Sequence, residues 1–374
     1  MKTKPFLHLY LFLIILLLTA SCSKNSPTNT TDTLEEAIDE IANKYLEVGM
    51  VIGIINSDQE KMIFSYGTKV RGTDDTPDEN TVFDIGSMTK TFTSLLVADS
   101  YLNGGFTDDT VSHYLPENVT MPTLNGTPIR IVHLATHTSG LPRNPLADGQ
   151  IYPIPDGYDE ENPYEVYTTE DVYDYLTNYC TLLFEPGTFW EYSNTGYGLL
   201  GHLVGLVNNS TYRDVLQDKI FDELGMNRSS VFLTDDQLTN YSLGYNTDKE
   251  NVPYFVANDI FQGAGFIKST LSDLFKYLEA NMGMTETTLR SSMDLTHEPQ
   301  LHQGSMGEQA LAWFVQTLDD GQTIIYSGGN TIGHSSYIGF NKSASTGVII
   351  LTNDAMHGSQ LNMGSEILEA INQY

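Results

Sequence analysis

A serine and a lysine stand three residues apart at the predicted start of a helix, in Ser87-Met88-Thr89-Lys90. Side chains with this spacing lie on one face of a helix, one turn apart. A serine hydroxyl is a weak nucleophile until a base takes its proton, and a partly buried lysine that has lost its own proton can be that base. The helix N-terminus adds positive potential where an oxyanion would form. The pattern therefore predicts a nucleophile, Ser87, activated by Lys90.

The spacing alone is weak evidence, because a second match occurs at Ser21-Cys22-Ser23-Lys24, in a segment with the features of a targeting signal. For an isolated match, an N-cap serine followed by a solvent-facing lysine is the simpler explanation. Motifs later in the chain are therefore needed to distinguish a nucleophile at Ser87 from an N-cap serine.

A second motif, Tyr192-Ser193-Asn194, follows a Pro-Gly turn and precedes an apolar helical segment, so we expect it on a loop. A tyrosine near a lysine ammonium can be held partly ionised and act as a base. An asparagine both donates and accepts, so Asn194 can fix the lysine and a substrate amide. The similar Tyr101-Leu102-Asn103 ends an amphipathic helix, where a tyrosine is expected to pack.

A third segment contains the small residues Ser327, Gly328 and Gly329, followed by Asn330. Small residues on an edge strand let another backbone approach closely, so a peptide-like ligand could pair with that edge. A backbone N–H here could form an oxyanion hole together with the N–H of Ser87. For the segment in isolation, a glycine-rich hairpin turn without chemistry is the favoured alternative.

The elements that must position these residues differ along the chain, with strands towards both ends and mostly helices between. The predicted strands are 50–55, 61–66, 310–317, 323–326, 335–340 and 347–351, and the predicted helices are 34–46, 87–101, 170–177, 199–207, 212–224, 269–282 and 361–371. The simplest assembly is an α+β fold. One antiparallel sheet, from about 34–103 and 261–372, is flanked by the terminal helices, with a mostly helical subdomain at about 104–260 beside it. We expect the ligand in a cleft between the two parts.

The segment 150–179 is rich in tyrosines and acids, and we expect it to be a surface insertion; a lid over the cleft is the alternative. His133 and His137 are four residues apart, but no His-Glu-x-x-His pattern is present, so we expect no metal site. Cys180 is the only cysteine besides Cys22, which excludes a cysteine metal cluster. We expect no cofactor.

The chain carries 48 acidic and 18 basic residues, a formal net charge of −30, so nucleic acid is not an expected partner. Residues 1–22 combine a charged start, an apolar run and small residues before Cys22, which predicts a bacterial lipoprotein signal with lipidation at Cys22. An ordinary signal peptide is the alternative. Residues 23–33 are a predicted flexible tether. The prediction is an exported lipoprotein in the periplasm or at the outer membrane or cell surface, attached to the membrane by its lipid anchor.

Taken in order, these motifs make the chain resemble the serine hydrolases of the class C β-lactamase and penicillin-binding-protein type. The resemblance covers about residues 34–372. It includes a His-Thr-Ser-Gly-Leu-Pro segment at 137–142 and a Pro-Gly…Tyr-Ser-Asn…Gly-Tyr block at 186–197. This family includes D-Ala-D-Ala carboxypeptidases, D-amino-acid peptidases and β-lactamase-like esterases.

The resemblance implies roles for individual residues. Ser87 would be acylated, and Lys90 would take its proton or hold the electrostatics of the pair. Tyr192 would be the general base in acylation and the acid to the leaving group, and Asn194 would position Lys90 and the substrate. Asn330 would supply the second oxyanion N–H beside that of Ser87.

The third motif departs from the family pattern. β-Lactamases of this type have Lys-Thr-Gly, and many carboxypeptidases and esterases have His-x-Gly, where this chain has Ser327-Gly328-Gly329. The missing cation or imidazole usually binds the substrate carboxylate or tunes the tyrosine. We therefore expect acyl transfer on small ester, amide or D-amino-acid peptide substrates, including cell-wall-derived ones. The alternatives are a D-Ala-D-Ala carboxypeptidase or β-lactamase, and a non-catalytic ligand-binding or sensor module of the same fold.

Overall fold

The structure, a computed structural model, describes residues 33–160, 162–302, 307–318 and 321–374. The predicted signal segment with Cys22 and nearly all of the tether lie outside the described residues. Within the described part of the chain, no helix combines the length and the apolar character needed to cross a membrane.

The described residues form helices and strands whose bounds follow in chain order. The strands are β1 Gly49–Ile55, β2 Lys61–Gly67, β3 Phe83–Asp84, β4 Gly244–Tyr245, β5 Asn251–Val252, β6 Lys268–Ser269, β7 Leu301–His302, β8 Glu308–Gln309, β9 Phe314–Thr317, β10 Thr323–Asn330, β11 Ser335–Asn341 and β12 Thr346–Thr352. The helices are α1 Leu34–Tyr45, α2 Thr89–Leu102, α3 Ile131–Ala135, α4 Thr169–Asp174, α5 Asn194–Val207, α6 Tyr212–Leu216, α7 Asp222–Leu224, α8 Asp235–Thr239, α9 Gln262–Gly265, α10 Leu271–Met282, α11 Arg290–Thr296 and α12 Ser359–Ile371.

One antiparallel sheet of eight strands organises the fold, in the order β2-β1-β12-β11-β10-β9-β8-β7. Strand β1 is buried on both faces of the sheet, and its successive side chains point to opposite faces, as strand geometry requires. Met50, Ile52 and Ile54 pack with α1 and α12, whereas Val51 and Ile55 join the core on the α10 side. The predicted α+β fold, with terminal helices on an antiparallel sheet, is confirmed.

The glycine-rich segment 327–330 is part of a strand and is not a hairpin turn. The prediction ended this strand at Tyr326, but β10 continues to Asn330 and pairs with β11, with Gly329 opposite Ser336. Glycine and serine have low strand propensity, and tertiary contacts override it here. The Ser336 hydroxyl donates to the Ile85 carbonyl at 2.7 Å, which joins the sheet to the turn before Ser87.

The predicted strand 310–317 is interrupted by a turn. Only β9, Phe314–Thr317, is a strand there. Ala312 adopts a φ of +64°, and the Ala310 N–H donates to the Trp313 carbonyl at 2.8 Å. Apolar periodicity does not detect this turn, because Ala310, Leu311 and Trp313 are buried all the same.

The helix α5 begins at Asn194, five residues before the predicted start, so Tyr192 and Ser193 precede the helix and Asn194 is its first residue. Glycines hide this helix in the sequence because they are poor helix formers. They are present because α5 packs closely on its neighbours. A Cβ at Gly198 would lie 2.7 Å from the Ile260 carbonyl oxygen, and one at Gly201 would lie 2.9 Å from Cα of Gly263.

The expectation of a surface insertion at 150–179 is wrong for three of its tyrosines. Tyr164, Tyr167 and Tyr175 are buried. The Tyr164 ring lies 5.0 Å from the ring of Phe261 and 5.8 Å from that of Phe266, between centroids. Most of the described acids of this segment are exposed, whereas these three rings pack inward, and this division has no regular sequence period.

Candidate active site

A tight turn places Ser87 against strand β10. β3 pairs with β6, and a single 3₁₀ turn, Gly86–Met88, then leads into α2. Gly86 has a φ of +52°, and a Cβ there would lie 2.8 Å from the backbone N and O of Asn330. Only glycine fits this left-handed position and this close backbone approach. Ser87 therefore sits at the start of a helix and directly beside the 327–330 segment.

Lys90 is buried one helical turn from Ser87. Its Nζ lies 3.1 Å from Ser87 Oγ and donates to Asn194 Oδ1 at 2.8 Å. It also donates to the Ala264 carbonyl. A neutral amine has two N–H donors and one lone pair, so two of these contacts can be donated bonds while the lone pair faces the serine.

Tyr192 and Asn194 approach the same serine from the start of α5. The Tyr192 hydroxyl lies 2.5 Å from Ser87 Oγ. Between them, Ser193 caps the helix, because its Oγ accepts from the Gly196 N–H at 2.9 Å. The Asn194 amide donates to the Tyr164 hydroxyl at 2.6 Å. The structure thus brings Ser87, Lys90, Tyr192 and Asn194 into one hydrogen-bonded group, although 104 residues separate Lys90 from Asn194.

The charge states of this group follow from its surroundings. Burial, and then the nearby positive charge of Arg143, hold the pKa of Lys90 well below its ordinary value. Burial raises the pKa of Tyr192 to about 12, against the opposing effects of the Ser87 hydrogen bond and of Arg143. These directions favour an uncharged Tyr192 and a Lys90 that loses its proton far more readily than an exposed lysine.

The ring of His137 supports Tyr192. The two ring centroids lie 4.4 Å apart, and His137 Nδ1 accepts from the Ser193 N–H at 3.1 Å. Burial, followed by the charges of Lys90 and Arg143, lowers the pKa of His137 well below its ordinary value, so this histidine packs as a neutral ring. His133 instead accepts from the Arg130 N–H at 3.2 Å.

The 327–330 segment forms one wall of the site. β9 pairs only with Thr323–Tyr326, so within the described chain no strand pairs with 327–330 on that side. The Ser327 hydroxyl donates to the Ala312 carbonyl at 3.0 Å. Asn330 Oδ1 accepts from the Ser335 hydroxyl at 2.8 Å. His334, just beyond, is buried against Phe83 and Ser242 and does not line the cleft.

Two adjoining cavities meet at Ser87, and both are also lined by Arg143 and Asn330. The first, of about 300 Å³, is bounded by Tyr192 and Ser327. The second, of about 310 Å³, is bounded by Asn194 and Tyr164. We call the two together the cleft.

Sequence reasoning missed several residues of this cleft. Arg143 is absent from the predicted site, although its guanidinium carbon lies 5.1 Å from the centroid of the Tyr192 ring. Tyr164 and Gln309 are also absent. Trp190 lines the cleft as well, and its indole N–H donates to Gln309 Oε1 at 3.0 Å. The one sequence feature that could have indicated Arg143 is its position directly after the 137–142 segment.

No group of three or more His, Cys, Asp or Glu side chains that could hold a metal ion occurs among the described residues.

Comparison with known proteins agrees with this geometry. A family model described as "Beta-lactamase" matches residues 34–367. A beta-lactamase of Pseudomonas fluorescens is 24% identical over 92% of this chain and 100% of its own. A solved class C beta-lactamase, 23% identical, superposes with a TM-score of 0.75 and covers 92% of this chain and 98% of its own.

A solved structure described as a beta-lactamase/D-alanine carboxypeptidase from Pseudomonas syringae is 25% identical, with a TM-score of 0.75 over 90% of this chain and 98% of its own. The family match spans most of the chain, and the fold match agrees with it. This chain belongs to the beta-lactamase family and is a serine hydrolase with the class C beta-lactamase fold.

Proposed function

We propose that Ser87 is the nucleophile of an acyl-transfer reaction on small ester, amide or D-amino-acid peptide substrates. The observation that carries this proposal is the double contact of one hydroxyl: Ser87 Oγ lies 2.5 Å from the Tyr192 hydroxyl and 3.1 Å from Lys90 Nζ. A serine held between a potential base and a potential acid is the arrangement that nucleophilic catalysis requires.

In the proposed acylation, Ser87 Oγ attacks the substrate carbonyl carbon and its proton passes to the neutral amine of Lys90. Tyr192 donates its hydroxyl proton to the leaving oxygen or nitrogen as the carbonyl–leaving-group bond breaks, and it recovers a proton from Lys90. The pKa directions support this assignment over an ionised Tyr192 as the first base. A water molecule then attacks the acyl-enzyme, with the proton transfers reversed.

The proposed oxyanion hole consists of the N–H groups of Ser87 and Asn330. Close backbone packing supports this choice. A Cβ at Gly329 would lie 2.6 Å from Ser87 N, and one at Gly86 would lie 2.8 Å from Asn330 N. Both N–H groups therefore belong to the region where the turn meets β10. Fixed donors there would stabilise the developing negative charge without reorganisation.

The alternative substrates are β-lactams and D-Ala-D-Ala peptides, including those derived from the cell wall. One solved relative carries both activities in its description. The unpaired side of 327–330 would suit an extended peptide-like ligand. A non-catalytic ligand-binding or sensor module is the second alternative; it would keep this hydrogen-bonded group without turnover.

A substrate panel distinguishes these functions. It contains p-nitrophenyl esters, D-amino-acid amides, nitrocefin and a muropeptide ending in D-Ala-D-Ala, each measured with the wild type and with Ser87→Ala. Ester or amide turnover that is lost in Ser87→Ala supports the proposal. Dominant nitrocefin turnover or D-alanine release favours the alternatives. Tight binding with unchanged affinity in Ser87→Ala, and no turnover, would support the sensor module.

We also propose that the chain is exported and anchored through a lipid on Cys22. The support is the charged start, the apolar run and the small residues before this cysteine. Intact mass of the membrane-extracted protein, compared with Cys22→Ser, tests this proposal. A mature N-terminus at Cys22 with an acyl-glyceryl mass increment is expected, whereas an unmodified cysteine or an uncleaved signal would contradict it.

A further inference from the structure

The charge pattern of the cleft is unusual for this protein. The whole chain carries a formal net charge of −30. Among the described residues, however, no aspartate or glutamate lines either cavity of the cleft. An acid-free cleft in a strongly acidic protein repels an anionic ligand less than the rest of the surface does.

Arg143 supplies a permanent positive charge to this cleft. Its side chain is exposed and lines both cavities. No ion pair of its guanidinium is found in the described part of the chain. Asp148 accepts only from its backbone N–H, at 3.0 Å. The N–H donors of this guanidinium are therefore available to a ligand in the cleft.

The backbone of Arg143 is well fixed. Its carbonyl oxygen accepts from the N–H groups of Asn194 and Thr195, each at 3.1 Å, at the first turn of α5. Its guanidinium carbon lies 5.1 Å from the Tyr192 ring centroid, a cation–π distance. The charge therefore lies beside the tyrosine that, under the proposed function, protonates the leaving group.

The family's usual cation is missing on the opposite wall. Where relatives are expected to carry lysine or histidine on β10, this chain has Ser327, whose hydroxyl is committed to the Ala312 carbonyl. A carboxylate on the leaving-group part of a substrate would find no charged partner on that strand. Arg143 reaches the same first cavity from the loop after residue 142.

We propose that Arg143 binds an anionic group, such as a carboxylate, on the leaving-group part of the substrate, and that it thereby makes anionic substrates preferred. This inference rests on the proposed acyl transfer at Ser87. A guanidinium binds a carboxylate through two parallel hydrogen bonds, which fixes its orientation as well as its charge. The proposed anion-binding charge of this chain lies on the loop after residue 142 and not on β10.

The test compares two aryl esters that have the same acyl group. Their leaving phenols differ only in the meta substituent, which is a carboxylate in one ester and an uncharged carboxamide in the other. The readout is the ratio of their kcat/KM values, which cancels any general loss of activity. For Arg143→Met we expect this ratio to fall about tenfold, the size of one charge-assisted interaction. Arg143→Lys is expected to recover part of the ratio. The control, Arg213→Met, removes an exposed arginine that lines neither cavity, and it is expected to leave the ratio unchanged.

An unchanged ratio in Arg143→Met would overturn the inference while leaving the proposed function intact. A second pair of esters carries the carboxylate or the carboxamide on the acyl part instead. This pair tests whether Arg143 acts on the leaving group or on the acyl group. A larger effect of Arg143→Met on this pair would overturn the assignment to the leaving group.

If the folded wild type cleaves neither ester, binding replaces turnover as the readout for Arg143, and the substrate panel with Ser87→Ala decides the proposed function separately. The dissociation constants of 3-hydroxybenzoate and 3-hydroxybenzamide are then compared in the wild type and in Arg143→Met. A preference for the benzoate that Arg143→Met abolishes supports the role of Arg143. No preference in the wild type overturns it.

Discussion

The Tyr164 hydroxyl accepts a hydrogen bond of 2.6 Å from the Asn194 side-chain amide, whose oxygen in turn accepts from Lys90 at 2.8 Å. An asparagine amide can be flipped without changing its shape, so its partners decide which end faces the lysine. The N–H donors of Lys90 require the amide oxygen, and Tyr164 holds the amide nitrogen at the other end, which keeps Asn194 in place. The buried tyrosine of the 150–179 segment is thereby connected to Ser87 through two hydrogen-bonding side chains.

Replacing Tyr164 by phenylalanine should weaken this positioning. We expect kcat/KM on a p-nitrophenyl ester to fall roughly fivefold, equivalent to about 1 kcal/mol for one net hydrogen bond. Tyr167→Phe is the matched control, because the Tyr167 hydroxyl is buried without a hydrogen-bond partner in the described structure. Its removal should be neutral or stabilising. Equal losses of activity in the two variants would argue against a positioning role for Tyr164.

The pH dependence of the reaction should depend on Arg143. Burial and the Arg143 charge both lower the pKa of Lys90, so kcat/KM should rise with pH as Lys90 loses its proton, well below the usual range for lysine. Arg143→Met removes the repulsion, which raises the pKa of Lys90 and moves this rise to higher pH. The measurement is the pH profile of kcat/KM on an uncharged ester. Arg213→Met should leave the profile in place, and a shift to lower pH in Arg143→Met would contradict the account.

A buried ion pair lies next to the turn at Gly86–Met88 and should stabilise the folded protein. Asp84 Oδ1 lies 3.7 Å from Nζ of Lys268, and both side chains are buried. Asp84→Ala leaves a buried lysine without its counter-charge, which typically costs about 3–5 kcal/mol in the free energy of unfolding. Urea denaturation measures this loss. The double variant Asp84→Ala/Lys268→Met should regain part of it, because Tyr241 and the Phe255 N–H still lose their carboxylate acceptor. A double variant no more stable than Asp84→Ala would exclude the ion pair as a cause of the loss.

The same pair predicts an acid limit to stability. Burial by itself would raise the pKa of Asp84, but the charge of Lys268, the hydrogen bond and charge of His334 and the hydrogen bond from the Phe255 N–H outweigh it and lower this pKa. A carboxyl whose folded pKa is lowered stabilises the protein above its unfolded pKa of about 4, and this contribution is lost as the pH falls through the folded pKa. The wild type should therefore lose stability below about pH 4 by more than Asp84→Asn does, as measured by thermal unfolding.

Local patterns were sufficient for part of the site. The i,i+3 spacing of Ser87 and Lys90 on a helix predicted their proximity, because helix geometry alone sets it. Tyr192 was predicted from a motif that combines a turn with a following helix. These inferences depend on neighbours in sequence, where local geometry determines which side chains meet.

The rest of the cleft depends on contacts between distant segments. Tyr164 is buried because it meets Phe261 and Phe266, about a hundred residues later, so its acidic surroundings in sequence suggested a surface loop. The strand at 327–330 forms despite its glycines because β11 and the turn at Ile85 hold it. Arg143 escaped notice because a lone arginine on a loop has no periodicity to mark it.

The most direct test of the central claim is the intact mass of the protein after reaction with a fluorophosphonate probe, in the wild type and in Ser87→Ala. The account predicts one covalent adduct on the wild type, mapped to Ser87 by peptide mass spectrometry, and none on Ser87→Ala. A folded wild type without an adduct, or an adduct of equal yield on Ser87→Ala, would contradict Ser87 as the nucleophile.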